Sequence, residues 1–203
     1  IELPNQHRIR YDREVRTPLT PILRDALIRS ILDTLPNASA VLISDYAKGV
    51  VDQDLVDQIH HACKSQNIPW VVDPKPQHKD FYHNAKLLTP NTQEASDLSG
   101  LPCDSDDEVE RAGRALMSEL HLEGLLITRS AKGMSLFPSL AAQVIHVPTL
   151  ARKVVDVSGA GDTVISVFTA ALASGASWET AAALANLASG IVVSKVGTSF
   201  VTA

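Results

Sequence analysis

The sequence predicts an α/β protein with a doubly wound, mainly parallel sheet that is flanked by helices. Between residues 40 and 128, short β-branched apolar runs alternate with helical segments of 8 to 15 residues, which is the pattern of βαβ units. Runs that are apolar throughout indicate strands covered on both faces. Right-handed crossovers bring the carboxyl ends of such strands to one edge of the sheet, where ligands bind.

The first helix is predicted behind Thr20 as N-cap, with Pro21 in its first turn. Helical apolar spacing then predicts six helices, and short apolar runs predict six strands. The predicted helices are 21–35, 53–65, 92–99, 106–120, 163–174 and 178–193. The predicted strands are 40–44, 70–73, 86–89, 124–128, 134–137 and 143–147. The last two strands form an antiparallel pair, because the turns near them are too short for crossover helices.

Three segments follow less regular patterns. Residues 1–16 alternate loosely and predict an exposed strand, and residues 74–85 predict a loop or short helix. No charged residue occurs from Thr163 through Trp178, so the helix there is expected to be buried on most sides.

Composition narrows the class of protein. The chain has 203 residues, of which 45% are apolar and 20% charged, with a net charge of −5. That balance predicts a globular domain and argues against a nucleic-acid partner. No apolar run reaches the length of a membrane span. Cys63 and Cys103 lack metal or redox spacing, which favours free thiols in a reducing cytoplasm.

The glycine-rich stretch 154–162 is the first candidate site, since a short turn leads there into a helix. The first amides of a helix bind anions, and its dipole favours a carboxylate such as Asp162 nearby. A base beside an anion-binding turn is the minimal equipment for transferring a phosphoryl group to a hydroxyl. The alternative is a structural turn in which Asp162 caps the helix, and both interpretations stay open.

Charged residues follow four successive predicted strands, which suits phosphate and a divalent cation. Lys48 and Asp45 are interpreted as a cation and an acceptor that face a phosphorylated sugar, and the alternative is a solvated pair on a loop. Lys75 is a weaker candidate, and Asp73 before Pro74 is interpreted as a turn residue. Glu94 in segment 91–94 could hold Mg²⁺, directly or through water, although an ordinary helix start explains that segment equally well. Arg129 could reach phosphate or face water.

The combination of motifs resembles the ribokinase (PfkB) sugar kinases. Segment 156–162 is similar to their C-terminal signature, and 91–94 is similar to their Asn-x-x-Glu motif. Segments 44–49, 73–75, 88–91, 128–136 and 190–201 resemble the branch of heptose-7-phosphate kinases. The resemblance extends from Ile9 to Val201, and it implies a ribokinase-like fold.

The resemblance also implies roles for residues and ligands. The implied reaction is ATP-dependent phosphorylation of D-glycero-D-manno-heptose 7-phosphate to the 1,7-bisphosphate, with Asp162 as base. The amides of Gly159, Ala160 and Gly161 would hold the transferring phosphoryl group. Further implied contacts are Asn91, Thr92, Gln93 and Glu94 with Mg²⁺ and the triphosphate; Thr128, Arg129, Gly133 and Asn186 with adenosine; Asp45, Lys48 and Lys75 with the acceptor; and Asp156 with a monovalent cation such as K⁺.

The sequence departs from the family at its N-terminal side. Family members are roughly half as long again, and their first strands and most of a β-lid have no counterpart here. Residues 1–16 are predicted to be the remnant of the lid, and 17–203 the nucleotide-binding and catalytic part. The opening Ile-Glu-Leu-Pro, without Met, is expected of a fragment or a processed piece. The complete protein is expected to be a homodimer.

Three hypotheses remain open at the level of sequence. The chain is a kinase seen in part, a nucleotide-binding pseudokinase, or a truncated product without activity. Another PfkB-type acceptor is the alternative to the heptose phosphate. The intact Asp162 and the glycine-rich turn favour the kinase.

Overall fold

One six-stranded sheet lies between two layers of helices in the part of the chain that this computed structural model describes, residues 13–14, 16–151 and 154–201. The strands are β1 (Val41–Ser44), β2 (Trp70–Asp73), β3 (Leu87–Leu88), β4 (Gly124–Thr128), β5 (Met134–Phe137) and β6 (Ile145–Val147). The helices are α1 (Pro21–Thr34), α2 (Gln53–Gln66), α3 (Thr92–Ser99), α4 (Asp106–Leu120), α5 (Ala160–Ala173) and α6 (Trp178–Val192). The connection after β2 contains a short 3-10 helix, Pro76–Tyr82.

The sheet is mainly parallel, as predicted. Its strands lie in the order β1-β2-β3-β4-β5-β6. Strands β1 to β4 are parallel, and β5 and β6 continue the sheet in antiparallel fashion. The register sets Ser44 beside Asp73 and Leu88 beside Leu125. The carboxyl ends of the four parallel strands therefore meet at one edge.

Both faces of the sheet are buried, which explains why its strands are apolar throughout. Val72 and Leu88 pack with helices α1 to α4, whereas the neighbouring Val71 and Leu87 pack with α5 and α6. Successive residues of a strand point to opposite faces. Each strand thus contributes alternate side chains to two apolar layers, and the predicted α/β class with helices on both faces is confirmed.

Most helix boundaries agree with the sequence because their capping residues are visible in it. Helices α3 and α4 each begin with a capping box, formed by Asn91 with Glu94 and by Ser105 with Glu108. The exception is α5, which begins at Ala160 rather than 163 behind Gly159, whose φ is 78°. A glycine reaches this left-handed conformation without strain. The helix therefore starts inside the glycine-rich turn.

Helix α5 is less buried than its composition predicts. Val164, Ile165 and Phe168 are buried against the sheet, whereas Ser166 and Ala170 are exposed. The helix therefore leaves one stripe uncovered, although it has no charged residue after Asp162.

Two further expectations concern the ends and the surface of the chain. The predicted strand in residues 1–16 lies mostly outside the described residues, and residues 13, 14 and 16 are not in a strand. Strands β3 and β6 are shorter than predicted. None of the described helices has the length and apolar character needed to cross a membrane.

Candidate active site

The carboxyl edge of the sheet meets the start of α5 around a cavity of about 270 Å³, called the catalytic cavity below. Residues that follow β1, β2, β3 and β4 reach it, together with the first turn of α5. Its lining includes Tyr46, Asp73, Lys75, Asn91, Glu94, Thr128, Gly159, Gly161 and Asp162. The edge at which the carboxyl ends of the parallel strands meet is thus rich in charged groups.

Asp162 lies in the first turn of α5 and contacts a tyrosine from the far side of the cavity. The Tyr46 hydroxyl lies 3.1 Å and 3.2 Å from the two carboxylate oxygens of Asp162. A hydroxyl has one proton, so Tyr46 donates to one oxygen at a time and leaves the other for a ligand. The N-cap of α5 is Gly159, so Asp162 is not the capping residue.

The first turn of α5 presents amide groups to the catalytic cavity. The N-cap Gly159 has no side chain that could bond to these amides. The Ala160 amide donates to the Val157 carbonyl at 3.2 Å, and the first amide with a helical partner is that of Thr163. The Gly161 and Asp162 amides belong to the turn in which helices leave N–H groups unpaired. These two amides are placed to receive an anion, and the roles of the Gly159 and Ala160 amides towards a phosphoryl group stay predictions.

The catalytic cavity carries more acids than bases. Burial and the nearby Glu94 carboxylate raise the pKa of Asp73 to about 6, against the opposing effect of Lys75. The Lys75 ammonium contacts the Glu94 carboxylate. Burial works against the charged form of Lys75, yet its contact with Glu94 raises the pKa of that ammonium. The carboxylates of Asp73, Glu94 and Asp162 thus share one cation, and this excess negative charge fits a divalent metal ion.

The Asn91–Glu94 motif serves as a helix cap and as part of the cavity at once. The Glu94 amide donates to Asn91 Oδ1 at 2.9 Å, and the Asn91 amide donates to Glu94 Oε2 at 3.0 Å. Glu94 Oε1 faces Lys75. The cap therefore orients the carboxylate towards the cavity, and the two interpretations of this segment are compatible. Thr92 opens α3 beside them, and Gln93 donates to Asp97 at 2.9 Å on the exposed side.

A second cavity of about 540 Å³, called the nucleotide cavity below, adjoins the first. Its walls come from the β4–β5 turn, the segment before α5, and helices α5 and α6. The lining includes Thr128, Ser130, Gly133, Val154, Val164, Asn186 and Gly190. Thr128 and Gly161 belong to both cavities. A mostly apolar cleft with a few polar groups is typical of sites for planar ligands.

Asn186 presents one defined polar atom to the nucleotide cavity. The residue is buried, and its Nδ2 atom donates to the Pro148 carbonyl at 2.7 Å. A carbonyl only accepts, so the amide nitrogen must face Pro148. The amide oxygen is left as the acceptor for a ligand.

Asp45 lies in a buried network rather than in either cavity lining. Its carboxylate, 1% exposed, accepts from the Ala47 amide and the Tyr82 hydroxyl, each at 2.7 Å, and contacts His78 Nδ1 at 2.7 Å. Burial and the neighbouring Asp45 carboxylate raise the pKa of the Tyr82 phenol. In this structure the Asp45 oxygens are engaged in holding the loop after β1, and its role towards the acceptor stays a prediction.

Arg129 and Lys48 each have partners within the protein that the sequence does not indicate. The Arg129 side chain is 3% exposed and contacts Asp106, Ser135 and His146 behind the β4–β5 turn. In this structure the guanidinium faces these partners rather than either cavity. Lys48 pairs with Glu14 at 2.6 Å, and its Nζ lies 5.7 Å from the Tyr46 ring centre. It therefore lies at the rim beside Tyr46.

Asp156 connects the glycine-rich turn with the C-terminal segment. Its Oδ1 accepts from the Ser158 amide and its Oδ2 from the Gly197 amide, each at 3.0 Å. Its role towards a monovalent cation stays a prediction.

Three residues of the catalytic cavity, Tyr46, Asp73 and Thr89, are not among the predicted site residues. The sequence marks them only as members of segments 44–49, 73–75 and 88–91. Their signal was their position, since Asp73 ends β2 and Tyr46 follows β1 by two residues. The direction of a side chain beyond a strand end depends on the loop, which the sequence pattern does not specify.

A ribokinase-like sheet with an anion-binding helix start beside a nucleotide-sized cleft defines a class of small-molecule kinases. In agreement, the profile described as "pfkB family carbohydrate kinase" matches residues 5–203. The chain belongs to this family of sugar kinases.

The chain is similar to longer proteins named "Bifunctional protein HldE". It is 42% identical to that of Trichlorobacter lovleyi over 198 residues, which is 98% of this chain and 40% of the relative. It is also 42% identical to that of Rhodospirillum rubrum over 199 residues, again 98% of this chain and 40% of the relative. The chain thus spans about two fifths of the length of these relatives.

Solved structures share the fold. Arabidopsis thaliana ribokinase complexed with ribose and ATP matches with a TM-score of 0.72 and 25% identity, over 83% of this chain and 54% of that one. Escherichia coli phosphofructokinase-2 in complex with potassium matches with a TM-score of 0.77 and 20% identity, over 90% of this chain and 59% of that one.

Proposed function

We propose that this protein transfers the terminal phosphoryl group of ATP to a hydroxyl group of a sugar phosphate, with Asp162 as the general base. One observation carries the proposal. The Asp162 carboxylate and the first turn of α5 line the catalytic cavity, which joins the nucleotide cavity at Thr128 and Gly161. A nucleotide bound in the larger cavity would extend its phosphates over Gly161 towards Asp162.

Asp162 would take the proton of the acceptor hydroxyl as the new bond forms. The acceptor oxygen attacks the terminal phosphorus, the bond from phosphorus to the bridging oxygen breaks, and ADP leaves with that electron pair. The proton stays on Asp162 until it exchanges with solvent. Tyr46, hydrogen-bonded to the carboxylate at 3.1 Å, would hold the base in position. Positioning of this kind supplies much of the rate in phosphoryl transfer.

The charge that develops on the transferring group would meet the α5 amides and Lys75. The Gly161 and Asp162 amides lie in the helix turn whose dipole favours negative charge. Lys75 borders the same cavity and adds a full positive charge. These groups are fixed before the reaction, so they need no reorganisation when charge appears.

Asp73 and Glu94 would hold Mg²⁺, because they add carboxylate oxygens to a cavity with excess negative charge. Glu94 would act through water, or through Oε1 in exchange for its contact with Lys75. When bound, the ion would neutralise charge on the phosphate oxygens. The adenine ring fits the nucleotide cavity, where the Asn186 amide oxygen would accept from its amino group.

For the acceptor we propose D-glycero-D-manno-heptose 7-phosphate, phosphorylated to the 1,7-bisphosphate. The resemblance of segments 44–49 and 73–75 to the heptose-7-phosphate kinases supports this choice. Lys48 at the rim beside Tyr46 would pair with the existing phosphate in place of Glu14. The buried, unpaired thiols of Cys63 and Cys103 are consistent with a cytoplasmic reaction.

A coupled assay of ADP release tests the proposal. We expect purified protein to release ADP from ATP when heptose 7-phosphate is present, and only slowly without it. Binding of ATP without ADP release on any sugar phosphate would instead identify a pseudokinase. Absence of ATP binding in folded protein would contradict the nucleotide site itself.

A further inference from the structure

A buried charged cluster lies directly behind the wall of the nucleotide cavity. The Arg129 cluster consists of Arg129, Asp106, Ser135 and His146. Arg129 contacts the Asp106 carboxylate with one terminal nitrogen. Its other terminal nitrogen donates to Ser135 Oγ at 3.2 Å and to His146 Nδ1 at 3.3 Å. One side chain thus connects β4, β5, β6 and the start of α4.

Stability alone does not account for this arrangement. The guanidinium is 3% exposed, and Arg129 Nε has no hydrogen-bond partner within the described chain. A buried donor without a partner costs stability, and the guanidinium loses its hydration while its carboxylate partner Asp106 is 64% exposed and screened by water, so the pair contributes little. A role for Arg129 in fixing the geometry of the neighbouring turn would account for its position.

The cluster is attached to the turn that forms one wall of the nucleotide cavity. The Arg129 amide donates to the Gly133 carbonyl at 2.7 Å and the Gly133 amide donates to the Ser130 carbonyl at 3.0 Å. Ser130 takes a left-handed conformation, with φ of 50°. Lys132 Nζ fastens the same turn to the Asp104 carbonyl at 2.8 Å. Ser130, Ala131 and Gly133 line the cavity, while Arg129 holds the turn from behind.

We propose that Arg129 is a positioning residue for the nucleotide. Its guanidinium ties the turn 129–133 to the start of α4 and to β5 and β6, and so fixes the cavity wall against which the adenosine part of ATP packs. Arg129 acts through the turn without touching the ligand. This inference rests on the proposed nucleotide site.

The test measures the dissociation constant of the fluorescent nucleotide mant-ATP with Mg²⁺, on protein shown to be folded by circular dichroism. We expect Arg129→Met to weaken binding about tenfold or more, equivalent to about 1.4 kcal/mol, because the turn 129–133 loses the contacts that hold it in the binding position. Arg129→Lys should recover part of the affinity, because an ammonium can still reach Asp106 but cannot span all three partners.

Arg114→Met is the matched control. Arg114 also fastens a loop of this region, since it donates to the Leu140 carbonyl at 2.7 Å and the Ala142 carbonyl at 3.2 Å, in the β5–β6 connection away from the nucleotide cavity. It should lower the melting temperature and leave the affinity for mant-ATP unchanged. A change in stability alone would affect both arginine variants alike.

Asp106→Asn covers the case in which Arg129→Met does not fold, because the Asp106 side chain is 64% exposed and its substitution should leave the core unchanged. We expect it to weaken mant-ATP binding several-fold. Wild-type affinity in folded Arg129→Met, or in Asp106→Asn if the former is unfolded, overturns the inference and leaves the nucleotide site standing. Failure of the wild-type protein to bind mant-ATP overturns both.

Discussion

The carboxylate of Asp162 has a neighbour that no sequence motif reveals, the hydroxyl of Tyr46. The two side chains come from opposite sides of the catalytic cavity and are 116 positions apart in the chain. In the proposed mechanism Asp162 takes the proton, and Tyr46 holds the Asp162 carboxylate in position. Substitutions at the two positions should therefore have different signatures.

Asp162→Asn should abolish turnover while the protein still binds ATP. The amide keeps the shape of the side chain but cannot accept the proton, and loss of general-base catalysis costs roughly 10²- to 10⁴-fold in rate. ADP release measures turnover and isothermal titration measures binding. An equal loss of both would mean that Asp162 serves the structure of the turn.

Tyr46→Phe should lower kcat about tenfold at an unchanged KM for ATP. It removes one hydrogen bond to a charged group, which is worth about 1.5 kcal/mol, and keeps the ring beside Lys48. Steady-state kinetics with both substrates varied provide the measurement. Tyr46→Leu, which also removes the ring, serves for comparison, and wild-type kcat in the Phe variant would exclude the positioning role.

Asp73→Asn should stabilise the metal-free protein at pH 8 and have little effect near pH 4. The pKa of Asp73 rises from 3.8 to about 6 on folding. The contribution of Asp73 to the free energy of unfolding is therefore complete below pH 3.8, and it is lost as the pH rises through about 6. We expect a gain of about 1 to 3 kcal/mol at pH 8, measured by urea unfolding in EDTA. The exposed Asp97→Asn is the control and should show no such pH dependence.

At the scale of elements, the first turn of α5 contains Gly161, a glycine that the packing of the fold does not require. A Cβ built on Gly161 has no heavy atom within 4 Å among the contacts of the described chain, whereas one on Gly133 would meet the Val147 carbonyl oxygen at 2.1 Å. Gly133 is needed by packing and by its φ of 82°. Gly161 instead leaves space open where the two cavities join.

Gly161→Ala should therefore fold normally and transfer phosphate poorly. Alanine favours a helix over glycine by about 0.5 to 1 kcal/mol, so the melting temperature should be unchanged or raised. The added methyl group would occupy the path of the phosphates, and we expect turnover to fall at least about tenfold, equivalent to 1.4 kcal/mol of barrier. Gly133→Ala, as the comparison, should instead lower the melting temperature. Wild-type turnover in Gly161→Ala would contradict the proposed path of the phosphates.

The elements were predictable wherever local chemistry marks their ends. The capping boxes at Asn91 and Ser105 indicate the starts of α3 and α4, and apolar runs indicate all six strands. The start of α5 was misplaced, because a glycine in a left-handed conformation carries no side-chain signal. The site was predictable in its location, since topology gathers the strand ends.

Individual side chains at those ends were less predictable. Asp45 and Tyr46 are adjacent, yet one is buried in a network and the other lines the catalytic cavity. Arg129 follows Thr128, yet it faces away from the cavity that Thr128 lines. Which neighbour faces a ligand depends on backbone angles in the loops, and periodicity does not extend into loops.

At the scale of the whole molecule, the nucleotide cavity lies between elements that are distant in sequence. Its walls are the β4–β5 turn, the segment before α5, and helices α5 and α6. A nucleotide would therefore add contacts to those that already join these parts, such as the hydrogen bond from the Val155 amide to the Val193 carbonyl at 2.7 Å. A ligand that binds only the folded state raises its stability in proportion to the logarithm of its concentration.

ATP with Mg²⁺ should raise the melting temperature of the protein. At about 100 times the dissociation constant the expected stabilisation is about 2.7 kcal/mol, or roughly 5 to 10 °C for a domain of this size. Differential scanning fluorimetry measures the shift. Asp162→Asn should show the full shift, since it leaves binding intact, and no shift in the wild-type protein would contradict the nucleotide site.

The wall that the two cavities have in common, Thr128 and Gly161, has a pharmacological consequence. A single compound that joins adenosine to a sugar through an oligophosphate tether would follow this shared lining from one cavity into the other. Such a bisubstrate inhibitor loses translational freedom once rather than twice on association. It should therefore outcompete either parent ligand, with the tether length as the adjustable variable.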